Sequence, residues 1–302
     1  MDPIIAKRFG VPDAAEGYLD TFLTAEDQVL IRGLKKEVFD REAVASVLGG
    51  EAEDYIASAY RRGVLCIEDE AHELYRLGSF YGMLDIFAIT EAAVWRTLPR
   101  EVRERLDDWY FDEYCAPFDP DRTVRPTPDE ILPLDEVLAF IDRQDRPVYL
   151  NTCDCRALRG DCGLPTKTCI TYRNGVNTFA HRGLSEEIDK ERAKEIVRQA
   201  DRDGLMHTVQ PNGVCNCCGD CCYLFRGQRQ RDSLGVWPKT ERVIAFDAER
   251  CIGCALCTRR CHFGVFEKRD GAIAAQTERC VGCGVCATMC PGKALTLQRR
   301  AG

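Results

Sequence analysis

Two runs of cysteine near the C-terminus constrain this chain more than any other feature. The first, CIGCALCTRRCH, sets Cys251, Cys254, Cys257 and Cys261 at spacings of two, two and three intervening residues. The second, CVGCGVCATMCP, repeats that spacing with Cys280, Cys283, Cys286 and Cys290. Cysteines three apart on a tight turn can aim their sulfurs at three corners of one cube. Gly253, Gly282 and Gly284 let backbone N–H groups approach the sulfides and offset their charge. The pattern predicts two [4Fe-4S] cubanes, and with them the movement of electrons. A zinc reading is weaker, because structural zinc sites pair two short C-x2-C knuckles, whereas each run here supplies four thiolates in one stretch.

Cysteine is also the outlier of the composition, with 19 in 302 residues. The N-terminus, MDPIIAKRFGVPDAAEG, has no basic segment leading into an apolar run, so no export signal is visible. No apolar stretch reaches the roughly 18 to 20 residues of a membrane helix. The expectation is a cytoplasmic protein whose thiols are held by metal. The formal net charge of −8 disfavours attraction to nucleic-acid phosphates and suits docking to a basic patch on a redox protein partner.

Three helices are expected from Thr24 onward, through Val29, Leu30, Leu34 and Val38, then Ala43, Val44 and Val47, then Tyr55, Ile56, Ala59 and Tyr60. Two short strands in VLCIEDEAHELYRL follow. This order resembles a winged helix-turn-helix. Its charge argues against DNA, with seven Lys or Arg between Thr24 and Phe80 against twelve Asp or Glu, and Glu51, Glu53 and Asp54 opening the third helix. An interaction module, such as a homodimer contact through the N-terminal domain, is the simpler reading. The fold expected is α+β and multidomain. A winged-helix-like and helical domain covers 1–117, a linker 118–130, a cysteine-rich α/β metal-binding segment 131–226, a second linker 227–242 and a ferredoxin-like βαβ-βαβ domain 243–302. In the middle segment a helix is expected to start near Ser185 as N-cap and to end at Gly204.

From about Val243 to Arg299 the chain resembles bacterial ferredoxins with two [4Fe-4S] clusters, in which the fourth cysteine of each run ligates the other cluster. The resemblance implies one cluster on Cys251, Cys254, Cys257 and Cys290, and the other on Cys280, Cys283, Cys286 and Cys261. Strands are expected near VIAF, AIAAQ and ALTLQ. Pro291 follows Cys290 as the family pattern requires, but His262 stands where proline would follow Cys261. It reads as a tolerated turn residue or as a group that tunes the nearby cluster.

Nine further cysteines lie upstream, Cys153, Cys155, Cys162 and Cys169 in NTCDCRALRGDCGLPTKTC, and Cys215, Cys217, Cys218, Cys221 and Cys222 in VCNCCGDCC. Exposed thiols oxidise, so metal is again the default. A third [4Fe-4S] cluster is the first reading, with Cys155, Cys162 and Cys169 as a wrapping loop completed by one thiolate of the second group. A structural zinc site and a reactive thiol pair or open metal site stay in view. The CxCR segment, the GLxH strand, the CNCC-x2-CC run and the two-cluster tail together resemble, more loosely, ferredoxin-type iron-sulfur proteins of anaerobic bacteria with a winged-helix-like start. Cys66 and Cys115 read as buried structural cysteines, and His72 and His181 as isolated histidines; His207 is the one considered as a ligand.

The function expected is passage of single electrons between a redox partner and the middle centre through the two cubanes. A small reductase with its substrate site at that centre is the alternative, and a redox-sensing winged-helix regulator the second. Carrier and oxidoreductase are left open, and catalytic residues unknown. No GxGxxG loop and no nicotinamide or flavin motif points to a donor.

Overall fold

The computed structural model describes residues 2–300 apart from 122, 161, 234 and 235, so that 122, 234 and 235 of the two expected linkers lie outside the described residues. The chain divides into two compact units, the first made of 1–116, 157–160 and 174–186, the second of 117–156, 161–173 and 187–302.

In the first unit, α1 (Pro3–Phe9) and α2 (Leu19–Phe22) lead to α3 (Ala25–Gly33). Thr24 starts α3 with a capping box: its hydroxyl accepts from the Asp27 N–H at 3.1 Å while the Asp27 carboxylate accepts from the Thr24 N–H at 2.8 Å. The order continues as β1 (Val38–Phe39), α4 (Arg41–Leu48), α5 (Glu53–Arg61), β2 (Leu65–Asp69) and β3 (Leu74–Leu77), and the three strands pair antiparallel in the order β1-β3-β2. Asp40 caps α4 through the Ala43 N–H, and Gly49 ends it in the left-handed region at φ 79°. Asp27 is fully buried and takes both Arg62 nitrogens, at 2.6 and 2.8 Å, and the Tyr55 hydroxyl at 2.9 Å, which ties α3 to α5.

Then come α6 (Phe80–Thr90), α7 (Ala92–Thr97) and α8 (Arg100–Cys115), whose Phe80, Phe87, Trp95 and Tyr110 are buried. Segment 174–186 packs with this unit. Its Arg182 donates to the Leu65 carbonyl at 3.1 Å and to Cys66 Sγ at 3.3 Å, and its His181 meets the Tyr60 hydroxyl at 2.6 Å and Glu70 at 3.0 Å. His181 is therefore not isolated, and Cys66 and Cys115 are half-buried where full burial was expected.

The second unit carries β4 (Glu130–Leu132), α9 (Leu134–Asp142), β5 (Val148–Thr152), α10 (Asp154–Arg159) as far as Arg156, β6 (Lys167–Thr171), β7 (Glu186–Ile188) from Glu187 on, α11 (Lys190–Arg202), β8 (Met206–Gln210), β9 (Gly213–Cys217) and α12 (Tyr223–Arg231). The strands form one sheet in the order β4-β8-β9-β6-β5-β7. Val137 and Ile141 of α9 and Ala193 and Val197 of α11 pack with Val148, Ile170, Val209 and Val214 of the sheet into its core. Here the structure corrects two boundaries. The long helix starts at Lys190 with Asp189 as N-cap, accepting from the Arg192 N–H at 2.7 Å, because residues 186–188 are drawn into the sheet as β7. Residues 227–231, expected in a linker, finish α12, and the following Trp237 is fully buried with its indole N–H donated to the Thr127 hydroxyl.

The last stretch runs β10 (Arg242–Phe246), α13 (Leu256–Arg260), β11 (Phe266–Arg269), β12 (Ala272–Ala275), α14 (Val285–Thr288) and β13 (Leu295–Arg299). Strand, short helix, strand occurs twice. β10 pairs with β13 and β11 with β12, all antiparallel, and Asp270 and Gly271 make the β11–β12 turn with φ 48° and 82°.

Candidate metal centres

The two C-terminal runs wrap the short helices α13 and α14. Each helix is entered through a left-handed residue, Ala255 at φ 57° and Gly284 at φ 80°. Gly282 has a steric reason as well, since a Cβ there would stand 2.3 Å from the Arg242 carbonyl oxygen. Cys261 of the first run lies with Cys280, Cys283 and Cys286 of the second, close enough for their charges to act on one another. Cys257 feels Cys251 and Cys254 in the same way. The chain just after Cys290 runs against the residue before Cys251, so closely that a Cβ on Gly292 would lie 2.4 Å from the Arg250 carbonyl oxygen.

Backbone N–H groups point at these sulfurs. Ile244 and Gly282 donate to Cys280 Sγ at 3.3 Å each, Ala294 to Cys290 Sγ at 3.3 Å and Val265 to Cys261 Sγ at 3.5 Å. Burial, with the neighbouring thiols adding to it, pushes the Cys283 thiol up to about 12 and Cys286 also upward. Of the eight cysteines only Cys254 is exposed; the other seven are half-buried or buried. Sulfurs gathered with N–H donors in this way are what an iron-sulfur cluster requires of its protein, since the iron then supplies the positive charge that thiolate formation needs.

The nine middle cysteines separate into two groups. Six of them lie thiol beside thiol in a ring, each interacting with the next, that runs Cys153, Cys155, Cys222, Cys217, Cys215, Cys169 and back to Cys153. The sheet makes this ring. Val214 faces Ile170 across β9 and β6, which sets Cys215 beside Cys169; Cys215 and Cys217 share one face of β9. Cys153 leaves β5 with its N–H on the Thr166 carbonyl at 2.7 Å, Cys155 is the second residue of α10, and Cys222 is the N-cap of α12. Around the ring the thiols alternate. Interaction with the neighbouring thiols pulls Cys153, Cys215 and Cys222 well down and pushes Cys155, Cys169 and Cys217 well up.

The other three, Cys162, Cys218 and Cys221, hold their sulfurs within 4.8 Å of one another. Cys162 is thereby parted from Cys155 and Cys169, with which the sequence reading joined it, because the loop after α10 carries it to the far end of the CNCCGDCC turn. A carboxylate oxygen of Asp154 lies within the same 4.8 Å of Cys153 and Cys155.

Two neighbours of the ring escaped the sequence reading. Arg156 is 2% exposed and donates to the carbonyls of Pro165 at 2.9 Å and Asn216 at 2.7 Å, and to the Thr168 hydroxyl. Burial works against its charge, but the thiols of Cys153, Cys169, Cys217 and Cys218 outweigh that and hold it protonated. The signal was the arginine directly after Cys155. Asp129 gave no signal, lying in the proline-rich stretch taken as linker. Burial raises it to about 6 against its hydrogen bond from Thr127, and the charges of Cys215 and Cys222 add to the rise.

His207 does not join the thiols. Its Nδ1 meets the Asn216 side-chain oxygen at 2.7 Å and its Nε2 stands 3.7 Å from Asp201, while Asn216 donates onward to the Thr168 carbonyl at 2.6 Å. His262 is the more informative histidine. Its Nε2 bonds the Gly204 carbonyl at 2.8 Å, and its Cβ sits where a side chain on Gly219 would be, 2.3 Å from that residue's would-be Cβ. The residue after Cys261 therefore packs onto the residue after Cys218.

Residues 250–295 match the family model of the 4Fe-4S dicluster domain. This span is an iron-sulfur, metal-binding domain of ferredoxin-like type. No curated protein and no solved structure matches the chain. Among the described residues no helix is long and apolar enough to cross a membrane.

Proposed function

We propose that this chain passes single electrons between a redox partner and a thiol-held centre in its sheet unit, through two [4Fe-4S] clusters in the C-terminal domain. Each cluster, when bound, supplies a one-electron couple. Cys251, Cys254, Cys257 and Cys290 would hold one, and Cys261, Cys280, Cys283 and Cys286 the other. The N–H donors to Cys261, Cys280 and Cys290 stabilise their negative charge. The six-thiol ring encloses a longer perimeter than four thiolates around a single ion, which favours a polynuclear centre there, and Arg156 offsets part of its charge.

One observation carries this reading: His262, next to Cys261, packs on Gly219 in the loop of the middle thiols and is anchored to Gly204. Proline at this position would have no nitrogen to offer Gly204, which explains the departure from the ferredoxin pattern. The cluster loop and the middle thiols thus share a contact through which an electron has a short path.

The test is anaerobic purification with iron and sulfide counts, followed by freeze-quench EPR after reduction. Iron above about eight per chain is expected, with about eight from the C-terminal domain. Cys155→Ser should lower the count by roughly four and leave the dicluster signals. His262→Ala should keep the iron but slow the spread of reducing equivalents from the dicluster to the middle centre. A count of about eight that Cys155→Ser leaves unchanged would remove the further iron centre.

A further inference from the structure

We propose that Cys162, Cys218 and Cys221 form a separate site for one divalent, thiophilic metal ion, and that its fourth position is filled by the sulfur of a small thiol from outside the chain. The site does not rest on the electron-transfer reading; it rests on spacing, count and access.

Thiolates on one tetrahedral ion at a metal–sulfur distance near 2.3 Å stand about 3.8 Å apart. The three sulfurs lie within 4.8 Å of one another, close to that edge. Thiolates that each bind a different iron of a cubane stand farther apart, so one ion fits this group better than a cluster.

Among the described residues the count stops at three. The other six middle thiols have one another as neighbours in the ring, and among the described residues no further Cys, His, Asp or Glu joins the group. Structural zinc sites close with four protein ligands, whereas sites that bind a reactant leave a position open.

Access is one-sided. Cys218 and Cys221 are both 0% exposed and pack with Ala200 and Leu205, which fixes two corners in an apolar wall. Cys162 is half-buried, and a Cβ built on the adjacent Gly163 would meet no atom within 4 Å, so the site opens on that side. Three thiolates make a bound ion soft, and a soft ion selects sulfur. When the external thiol binds, its sulfur displaces the water at the fourth position: a metal–sulfur bond forms, the metal–oxygen bond breaks, the water and the S–H proton go to solvent, and no electron changes hands. Arg156, near enough to Cys218 for their charges to interact, offsets the added negative charge.

The decisive experiment uses the full chain produced in cobalt-supplemented, zinc-poor medium and purified anaerobically, read by cobalt K-edge X-ray absorption so that iron does not interfere. About one cobalt per chain is expected, with three sulfurs and one lighter donor, rising to four sulfurs on addition of ethanethiol. Cys162→Ala and Cys221→Ala should lose the cobalt while keeping the dicluster EPR signals as the control for folding, and Cys155→Ala should retain it. Four sulfurs before ethanethiol is added, or a first shell that ethanethiol does not change, would overturn the open position. Cobalt loss in Cys155→Ala equal to that in Cys162→Ala would overturn the separation of the two groups. Loss of about four irons in Cys162→Ala would place a cluster where the single ion is proposed.

Discussion

Arg156 is a charged side chain with almost no contact with water, held by two carbonyls and a hydroxyl and facing thiols of both middle groups. A guanidinium suits this position because its planar fork serves several acceptors at once, which a lysine ammonium cannot do in the same geometry. Arg156→Met is expected to leave the Pro165 and Asn216 carbonyls without their donor, costing about 1–3 kcal/mol for each buried group, and to leave the thiolate charge without a counterion. Metal content of the middle segment should fall while the C-terminal iron stays, and Arg156→Lys should not restore it; metal analysis of the two variants checks this. The sequence showed the arginine but not its role, since only the fold turns it inward. For Asp129 even the suspicion was out of reach, because what brings it to Cys215 and Cys222 is pairing between distant segments, the Lys239 N–H on its carbonyl at 3.0 Å.

Among the elements, the two cysteine loops contain glycines that look equivalent and are not. Gly253 and Gly282 both have φ near 70°, yet a Cβ on Gly253 would meet its nearest atom at an ordinary 3.7 Å, whereas one on Gly282 would collide with the Arg242 carbonyl at 2.3 Å. Gly253→Ala should cost only the backbone strain of about 1 kcal/mol and keep near-normal iron. Gly282→Ala should force β10 away from the second loop and lower the C-terminal iron count, measured with sulfide on the purified chains.

Helix α6 supplies a different test. Burial, only partly offset by the Ile86 N–H, by Arg182 and by Tyr110, raises Asp85 to about 7. The folded state then binds a proton that the unfolded chain releases near pH 4, so stability falls as pH rises from about 4 to 7. Asp85→Asn is expected to protect α6 and α8 from hydrogen exchange more strongly than the wild type at pH 8, with the difference vanishing toward pH 4. Equal protection at both pH values would mean that the carboxyl titrates in the fold as it does in the unfolded chain.

At the scale of the whole molecule, the two compact units do not follow the order of the chain. Residues 157–160 and 174–186 leave the cysteine-rich stretch to pack with the first unit, as Arg182 on Leu65 and Trp95 on the Leu158 carbonyl at 3.3 Å show. The sheet and the C-terminal iron-sulfur span fall in the same unit, where Arg260 donates to the Arg202 carbonyl at 2.9 Å and His262 to that of Gly204. A stretch that reads as a linker can therefore be core. Trp237 is the clearest case, invisible in a polar, proline-containing segment and fully buried in the fold.

What the sequence by itself determined was local. Thiol spacing within one loop, Thr24 and Asp40 as caps, the β2–β3 and β11–β12 hairpins and the glycines at left-handed turns are settled by residues a few positions apart, and such patterns survive in one dimension. The partition of the nine middle cysteines was decided by the tertiary structure alone. Equal spacing suggested Cys155, Cys162 and Cys169 as a set, but the register of β6 against β9 puts Cys169 beside Cys215, and the loop after α10 hands Cys162 to Cys218 and Cys221. Strand pairing joins residues separated by some forty to sixty positions, so which sulfur meets which depends on the sheet and not on the spacing.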